Sequence, residues 1–195
     1  MRPQDNPFSV QRVEHILSFR PEWSGINENA LLAEILGGAG PCAITGHHGA
    51  GKTTLMDFLA VRLRALGHPV ASLFFNDQSR QLPDLDTLLP EDPSTTVVMI
   101  DGDAHLRWLH RRRLFARCAA CRRMILARHR AGSIPRLIRL SPGMDLLHRA
   151  VNELAPDHYP ALAMRLDGWF ATETGNIRHV LRRCYHAVAE MPDPG

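Results

Sequence analysis

The residues whose types and spacing are best suited to chemistry lie in one glycine-rich segment, residues 46–53, which fits the pattern G-x-x-x-x-G-K-[ST]. Glycines at positions 46 and 51 allow backbone angles that a Cβ atom disfavours, so the N–H groups can turn inward around a phosphate. A helix directly after the segment would add its positive N-terminal end. The pattern therefore predicts a loop that holds nucleotide phosphates. The predicted phosphate-binding residues are Gly46, His47, His48, Gly49, Ala50, Gly51, Lys52, Thr53 and Thr54.

Two side chains of this loop have specific predicted roles. Lys52 would reach the outer phosphates, and the Thr53 hydroxyl would bind Mg²⁺. Lys52 is also the single lysine among the 23 basic residues of the chain. Its presence in a chain that otherwise uses arginine indicates that the chemistry requires a compact ammonium group. We therefore predict that Lys52 acts directly on the reacting phosphates.

Two aspartates follow an apolar run, residues 97–100, which lacks alternation and is typical of a strand buried on both faces. Asp101 stands at the C-terminal end of this run, where open α/β sheets bind ligands, and we predict that it shares the metal with Thr53. A helix cap is the alternative role for Asp101. Asp103 could orient or activate an attacking water, or could cap a helix that begins at Ala104.

Strands and helices alternate around these residues. Apolar runs predict five strands, at residues 41–45, 70–75, 97–100, 123–127 and 134–140. Leucines at helical spacing after the loop predict a helix that ends near Gly67 and Pro69, and a second helix is expected over residues 104–122. Pro135 indicates that the last strand lies at a sheet edge. This alternation predicts an α/β core over residues 41–143.

With these motifs and this element order, the chain resembles the P-loop NTPases, and more narrowly the additional-strand (ASCE) ATPases that include the AAA+ and STAND families. The resemblance is most specific in the loop 46–53, and Asp101 matches the Walker B carboxylate. It implies a three-layer fold with a parallel sheet of about five strands. One strand should lie between the loop strand and the strand of Asp101. ATP and Mg²⁺ are the implied bound groups.

The resemblance also reaches the tail of the chain. Residues 175–178, Gly-Asn-Ile-Arg, look like the sensor-2 motif of AAA+ lid domains, which implies that Arg178 contacts the γ-phosphate. A surface arginine near a helix start is the alternative. His129 occupies the sensor-1 region, where it would contact the γ-phosphate or water, or else lie in a solvated turn. The implied organisation is an N-terminal helical arm (1–40), the NTPase core (41–143) and a small helical lid (144–195).

The expected activity is Mg²⁺-dependent ATP hydrolysis that couples the nucleotide state to a partner. Many ATPases of this type carry a glutamate directly after the Walker B aspartate, whereas this chain has Gly102. Two alternatives therefore stay open. One is a small-molecule or nucleoside kinase, which uses the same loop. The other is a nucleotide-gated switch that binds ATP and barely hydrolyses it.

The net charge of +3 hides a strongly basic segment. Residues 104–149 hold twelve basic residues and one acidic residue, and arginines crowd the segment 107–130. We weigh three roles for these arginines: binding a nucleic-acid backbone, offering an arginine finger to a neighbouring subunit of a homo-oligomer, and pairing with acidic residues of the same chain. Cys118 and Cys121 share the apolar face of this predicted helix, which favours core packing over a metal site.

The composition sets outer limits on the class of protein. Hydrophobic residues make up 45% of the chain and charged residues 22%, as in ordinary globular proteins. No apolar stretch approaches the roughly 20 residues that span a bilayer, and the N-terminus lacks the pattern of a signal peptide. Together with four cysteines, these features predict reduced thiols, no membrane association and a cytoplasmic location.

Overall fold

The computed structural model describes residues 5–89 and 92–191 of the 195-residue chain. Residues 1–4 of the expected arm and residues 192–195 of the expected lid lie outside this part. The helices are α1 (Val10–Ile16), α2 (Glu28–Gly37), α3 (Lys52–Ala65), α4 (Leu85–Leu88), α5 (Trp108–Cys118), α6 (Met144–Leu154), α7 (Tyr159–Thr172) and α8 (Ile177–Glu190). The strands are β1 (Pro41–Thr45), β2 (Val70–Phe74), β3 (Val97–Asp101), β4 (Arg123–Arg128) and β5 (Arg136–Arg139).

The chain forms two compact units. The first unit comprises the chain up to Gly25, the short segment His47–Gly51 and the chain from Ser141 onward. The second unit comprises Ile26–Gly46 and Lys52–Leu140. Most of the range expected for the core therefore lies in the second unit, whereas the range expected for the arm is divided between the two.

The second unit is an α/β fold built on a five-stranded, all-parallel sheet. The strand order is β2-β3-β4-β1-β5, so β4 lies between β1 and β3. This confirms the expectation of an inserted strand, and β5 forms a sheet edge, as Pro135 indicated. Helix α3 packs leucines onto the sheet: Leu55, Leu59 and Leu63 are fully buried. Burial of these long apolar side chains stabilises the unit by roughly 1.5–3 kcal/mol each.

Helix α5 is shorter than the helix predicted over residues 104–122. Gly102 adopts left-handed angles (φ 78°) and leads into a 3₁₀ turn, Asp103–His105. The backbone then extends at Leu106 and Arg107, so regular helix begins at Trp108. Leu106 itself is buried in a core cluster with Leu114. The spacing of the apolar residues predicted a helix but could not show that an anchored leucine interrupts it.

The cysteines of α5 and the following turn confirm the expected core packing. Cys118 is 2% exposed and Cys121 is 7% exposed, and both belong to the cluster that covers one face of the sheet. Burial raises the pKa of Cys118 to about 12. Such a thiol stays protonated and unreactive at neutral pH.

The first unit is helical. Helices α1, α6, α7 and α8 surround a cluster that contains Phe8, Leu147, Leu162 and Cys184. Along α8 the spacing of Ile177, Leu181, Cys184 and Val188 places one apolar face inward, as the sequence predicted. Within residues 5–89 and 92–191, no helix has the length and apolar character needed to cross a bilayer.

Candidate functional site

The carboxyl ends of the central strands lie at the same edge of the sheet in the second unit. Thr45 of β1 is in register with Arg128 of β4, and Asp101 of β3 is in register with Ala127. The loop that follows β1 and the side chain of Asp101 therefore share one edge of the sheet.

The Thr53 hydroxyl and the Asp101 carboxylate are in direct contact. Thr53 Oγ1 donates a hydrogen bond to Asp101 Oδ2 over 2.6 Å. These are the two side chains that the sequence predicted as metal ligands. A hydroxyl and a carboxylate are oxygen donors of the kind that Mg²⁺ prefers, and Mg²⁺ usually takes its remaining ligands from substrate phosphates and water.

Lys52 stands at the first position of α3, beside this pair. Its Nζ donates to the carbonyl oxygen of Gly46 over 2.9 Å. Burial lowers the pKa of Lys52, and the nearby Asp101 charge partly offsets that effect. The ammonium group is thus partly desolvated, and the Lys52 side chain turns toward the backbone at the start of the loop. Thr54, the next residue of the predicted set, is exposed in the first turn of α3.

Asp57 is a neighbour of this cluster that the sequence analysis did not single out. It lies one helical turn after Thr53 on α3, at the spacing that places two residues on the same face. Burial and the Asp101 charge both raise the pKa of Asp57, burial having the larger effect. Two carboxylates that repel each other beside a hydroxyl create a local preference for a cation. The i,i+4 spacing from Thr53 was the signal that could have identified it.

Asp103 has a different environment from Asp101. Its side chain is 3% exposed and accepts hydrogen bonds from Arg128 Nε to Oδ1 (3.1 Å) and from Arg128 Nη2 to Oδ2 (2.5 Å). The guanidinium carbon of Arg128 also lies 5.8 Å from the centre of the Phe115 ring. Both carboxylate oxygens of Asp103 are thus engaged by one fixed cation. Arg128 is a further site residue that no sequence pattern assigned.

Gly102, between the two aspartates, is required by close packing. A Cβ atom at this position would lie 2.0 Å from the carbonyl oxygen of Phe75, and the φ angle of 78° disfavours any side chain. This explains in physical terms why no glutamate follows Asp101 here. The backbone of the neighbouring strand occupies the space that its side chain would need.

His129 lies beside the start of the loop. Its Nδ1 is 3.2 Å from the carbonyl oxygen of Gly46, which also accepts from Lys52. Because a carbonyl oxygen only accepts, this contact makes Nδ1 the donor and leaves Nε2 to face other partners. His129 therefore contacts the backbone at the start of the loop, and its predicted contact with phosphate or water stays a prediction.

The middle of the loop, His47–Gly51, belongs to the first unit together with Arg178. Gly49 (φ 73°) approaches Asn176 so closely that a Cβ atom would lie 2.0 Å from Asn176 Oδ1. The same Oδ1 accepts from the backbone N–H of His179 over 3.3 Å and so caps α8. Gly49 thus permits a close approach between the loop and the start of α8.

A cavity of about 440 Å³ opens within the first unit at this contact. Its lining residues are His48, Gly49, Thr172, Glu173, Thr174, Asn176, Arg178 and His179. Loop residues and the predicted sensor arginine therefore face one common space. Ala50 is buried, and its N–H donates to the carbonyl oxygen of His47 over 3.3 Å.

One wall of this cavity contains His179, whose ring contacts the Glu173 carboxylate and which the sequence analysis did not identify. Glu173 accepts from Arg183 Nε over 2.7 Å through one oxygen and contacts His179 Nδ1 over 3.0 Å through the other. Arg183, and to a lesser extent His179, hold the pKa of Glu173 below its ordinary value. The contact to Nδ1 leaves His179 Nε2 available to a second partner. No spacing rule in the sequence links Glu173, His179 and Arg183 in this way.

The predicted site residues thus fall into two groups, each gathered within one unit. The second unit holds Lys52, Thr53, Asp101, Asp103 and His129, and the first unit holds residues 47–51 and Arg178. Comparison of the sequence with models of protein families and with curated proteins gives no significant match.

Proposed function

We propose that the protein binds ATP with Mg²⁺ and acts as an ATPase of the additional-strand P-loop type. The observation that carries this proposal is the 2.6 Å hydrogen bond between Thr53 and Asp101. It joins the end of the loop pattern to the acidic end of β3 on a parallel sheet. The strand order, with β4 between β1 and β3, supports the same assignment.

The proposed roles follow from the chemistry of each group. By the loop pattern, the amides of residues 47–51 and the Lys52 ammonium would hold the phosphates. Thr53 and Asp101 would hold Mg²⁺, and Asp57 lies close to Asp101. Mg²⁺ supplies charge neutralisation on the outer phosphates. The oxygen of a water molecule forms a bond to the γ-phosphorus as the bond from that phosphorus to the bridging oxygen breaks; the water gives up a proton to solvent, and ADP and inorganic phosphate leave.

Arg178 is proposed to contact the γ-phosphate from α8. It shares the cavity of the first unit with His48 and Gly49. A guanidinium at this place would gain a bidentate partner when a γ-phosphate is present and lose it after release. Arg178 would then report the nucleotide state to the helices of the first unit. His129 is proposed to contact the phosphate or the attacking water from the second unit.

Slow hydrolysis is the second candidate function, and a specific observation favours it. The Asp103 carboxylate accepts a bidentate pair of hydrogen bonds from Arg128. The close packing at Gly102 leaves no room for a glutamate that could act as the base. Arg128 donates to both oxygens of Asp103, and this charge-assisted pair makes the carboxylate a weaker base toward water. While the fork persists, the protein binds ATP and turns it over slowly, as a nucleotide-gated switch does.

The test combines nucleotide binding with product analysis. Titration with ATP and Mg²⁺ should show binding that Lys52→Ala weakens by more than about tenfold, since charge-assisted hydrogen bonds contribute about 1.5–3 kcal/mol. Asp157→Asn, an exposed aspartate of the first unit, serves as the control variant. Phosphate release by the wild type marks an ATPase, and tight binding without release marks the switch. Phosphate transfer to a nucleoside or sugar without free phosphate would assign a kinase instead. Unchanged binding by Lys52→Ala would contradict the proposal.

A further inference from the structure

The solvent side of α5 combines aromatic, aliphatic and cationic side chains in an unusual way. Trp108 is 63% exposed and Leu109 is 58% exposed. Arg112 and Arg113 follow them at i+4 spacing, so each cation lies on the same helix face as one apolar side chain. These four residues form what we call the α5 outer face. The buried side of the helix, Leu114 and Cys118, faces the core.

The cations near this face are not neutralised by the described part of the chain. Arg107, Arg111, Arg112 and Arg113 are exposed, and none of them has a carboxylate partner among the described side chains. No acidic residue occurs from 104 to 130. Uncompensated cations at this density attract an anionic partner over several ångströms and repel one another without it.

Asp77 and Asp92, two acidic residues that precede α5 in the chain, contact other groups. Asp77 binds Arg80 over 2.5 Å and contacts His105 over 3.2 Å. Asp92 accepts from the backbone N–H of Ser94 over 2.9 Å. Neither Asp77 nor Asp92 pairs with an arginine of α5. Among the described side chains, no carboxylate occupies Arg107, Arg111, Arg112 or Arg113.

The indole ring of Trp108 distinguishes the α5 outer face from a purely cationic surface. The guanidinium carbon of Arg112 lies 5.8 Å from the centre of the Trp108 ring. The arginine is thus held beside an indole that still exposes most of its surface. A guanidinium fork matches phosphate oxygens, and an exposed indole stacks on an unpaired base. An acidic peptide would use the cations but would leave the indole and Leu109 without a matching partner.

We propose that the α5 outer face binds single-stranded nucleic acid. Arg112 and Arg113 contact the phosphates, with Arg107 and Arg111 adding attraction, and a base stacks on Trp108. A single strand is favoured over a duplex because the bases of a duplex are already stacked and are not free to cover an exposed ring. This binding function is independent of nucleotide binding, since it uses none of the residues assigned to ATP.

Fluorescence anisotropy tests the proposal with labelled oligothymidylate and oligouridylate of about 20 nucleotides, without ATP. The test variant is Arg112→Glu/Arg113→Glu. The control, Arg149→Glu/Arg182→Glu, makes the same change of charge at exposed arginines of α6 and α8. We expect the test variant to weaken binding by about tenfold or more and to reduce the slope of log K against log salt by roughly 1.4. The control should leave both quantities near the wild-type values.

Variants of the ring separate stacking from charge. Trp108→Leu should weaken binding by about 5-fold or more, and Trp108→Phe should restore most of the affinity, because a phenyl ring also stacks. Circular dichroism and the melting temperature check that each variant is folded, and the phenylalanine variant keeps the test valid if the leucine variant is not. Binding of either oligonucleotide supports the proposal, and the preference between them identifies DNA or RNA.

Several outcomes would overturn the assignment. Absence of oligonucleotide binding at low salt would overturn the proposal that this face binds single-stranded nucleic acid. Equal losses in the test and control pairs would show that net charge alone is responsible. Equal or tighter binding of polyglutamate, or tighter binding of a duplex of the same length, would assign the face to an acidic protein or to a helical backbone. An unchanged affinity in Trp108→Leu would remove the stacking role and with it the argument for a single strand.

Discussion

Asp101 and Asp103 are two residues apart in sequence, and their surroundings are opposite. Asp101 accepts from a neutral hydroxyl and lies close to a second carboxylate, Asp57. Asp103 is buried and receives both arms of the Arg128 guanidinium. The left-handed turn at Gly102 separates the two environments.

The difference indicates a division of labour between a carboxylate that can exchange ligands and one that is fixed. A divalent cation placed at Asp101 would relieve the repulsion from Asp57 and displace one hydrogen bond, the one from the Thr53 hydroxyl. A proton or cation that reaches Asp103 must first compete with a charge-assisted fork. We therefore propose that Asp101 binds the metal and that Asp103 positions Arg128.

The largest expected difference between the two aspartates is in how much each contributes to the free energy of unfolding. Asp103→Ala should lower the free energy of unfolding by about 3 kcal/mol, because it leaves the partly buried Arg128 cation unpaired. Asp101→Asn should change this free energy by less than about 1 kcal/mol, since it removes no ion pair. Urea unfolding of both variants measures the contrast. Adding Arg128→Ala to Asp103→Ala should recover part of the loss, and equal losses in the two single variants would refute the division.

Gly102, which separates the two aspartates, gives the next largest expected effect on stability. Gly102→Ala should cost about 2 kcal/mol or more, since it forces a left-handed angle and a contact with the Phe75 carbonyl. Gly132→Ala is the matched control, because Gly132 has a similar φ of 64° but open space where the Cβ would be placed. Its expected cost is the backbone strain alone, about 1 kcal/mol. Urea unfolding distinguishes the two, and equal costs would mean that the packing against Phe75 does not confine this turn.

The smallest expected effect concerns Glu173, a more exposed carboxylate that Arg183 contacts through one oxygen and His179 through the other. Arg183 and His179 lower the pKa of Glu173 below its ordinary value of 4.5. A group with a lowered pKa in the folded state contributes stability above its unfolded pKa, and this contribution is lost as the pH falls through the folded value.

Glu173→Gln should therefore lower the melting temperature at pH 7 slightly, and the difference from the wild type should shrink as the pH falls below about 4.5. Glu153→Gln, which breaks the exposed pair with Arg20, is the control. Calorimetry across this pH range measures both variants. A loss of stability in Glu173→Gln as large as that in Asp103→Ala would show that burial does not determine how much each ion pair contributes.

Local patterns in the sequence were sufficient to predict the parts of the site that are close together in the chain. The loop, the five strands and Asp101 at the end of β3 follow from spacing and from apolar runs. Contacts between distant residues were not predictable in this way. The Arg128–Asp103 fork spans 25 residues, and the approach of Gly49 to Asn176 depends on how the chain returns after α7. Leu106, which begins the extended stretch before α5, is fixed by a core that no local window contains.

The most direct test of the central claim is the Mg²⁺ dependence of ATP binding by Asp101→Asn. Calorimetric titration with ATP, with and without Mg²⁺, should show tighter binding with the metal for the wild type and for the control Asp157→Asn. For Asp101→Asn the gain from Mg²⁺ should be largely lost, while metal-free binding through the loop and Lys52 persists. A full Mg²⁺ gain in Asp101→Asn would contradict the account.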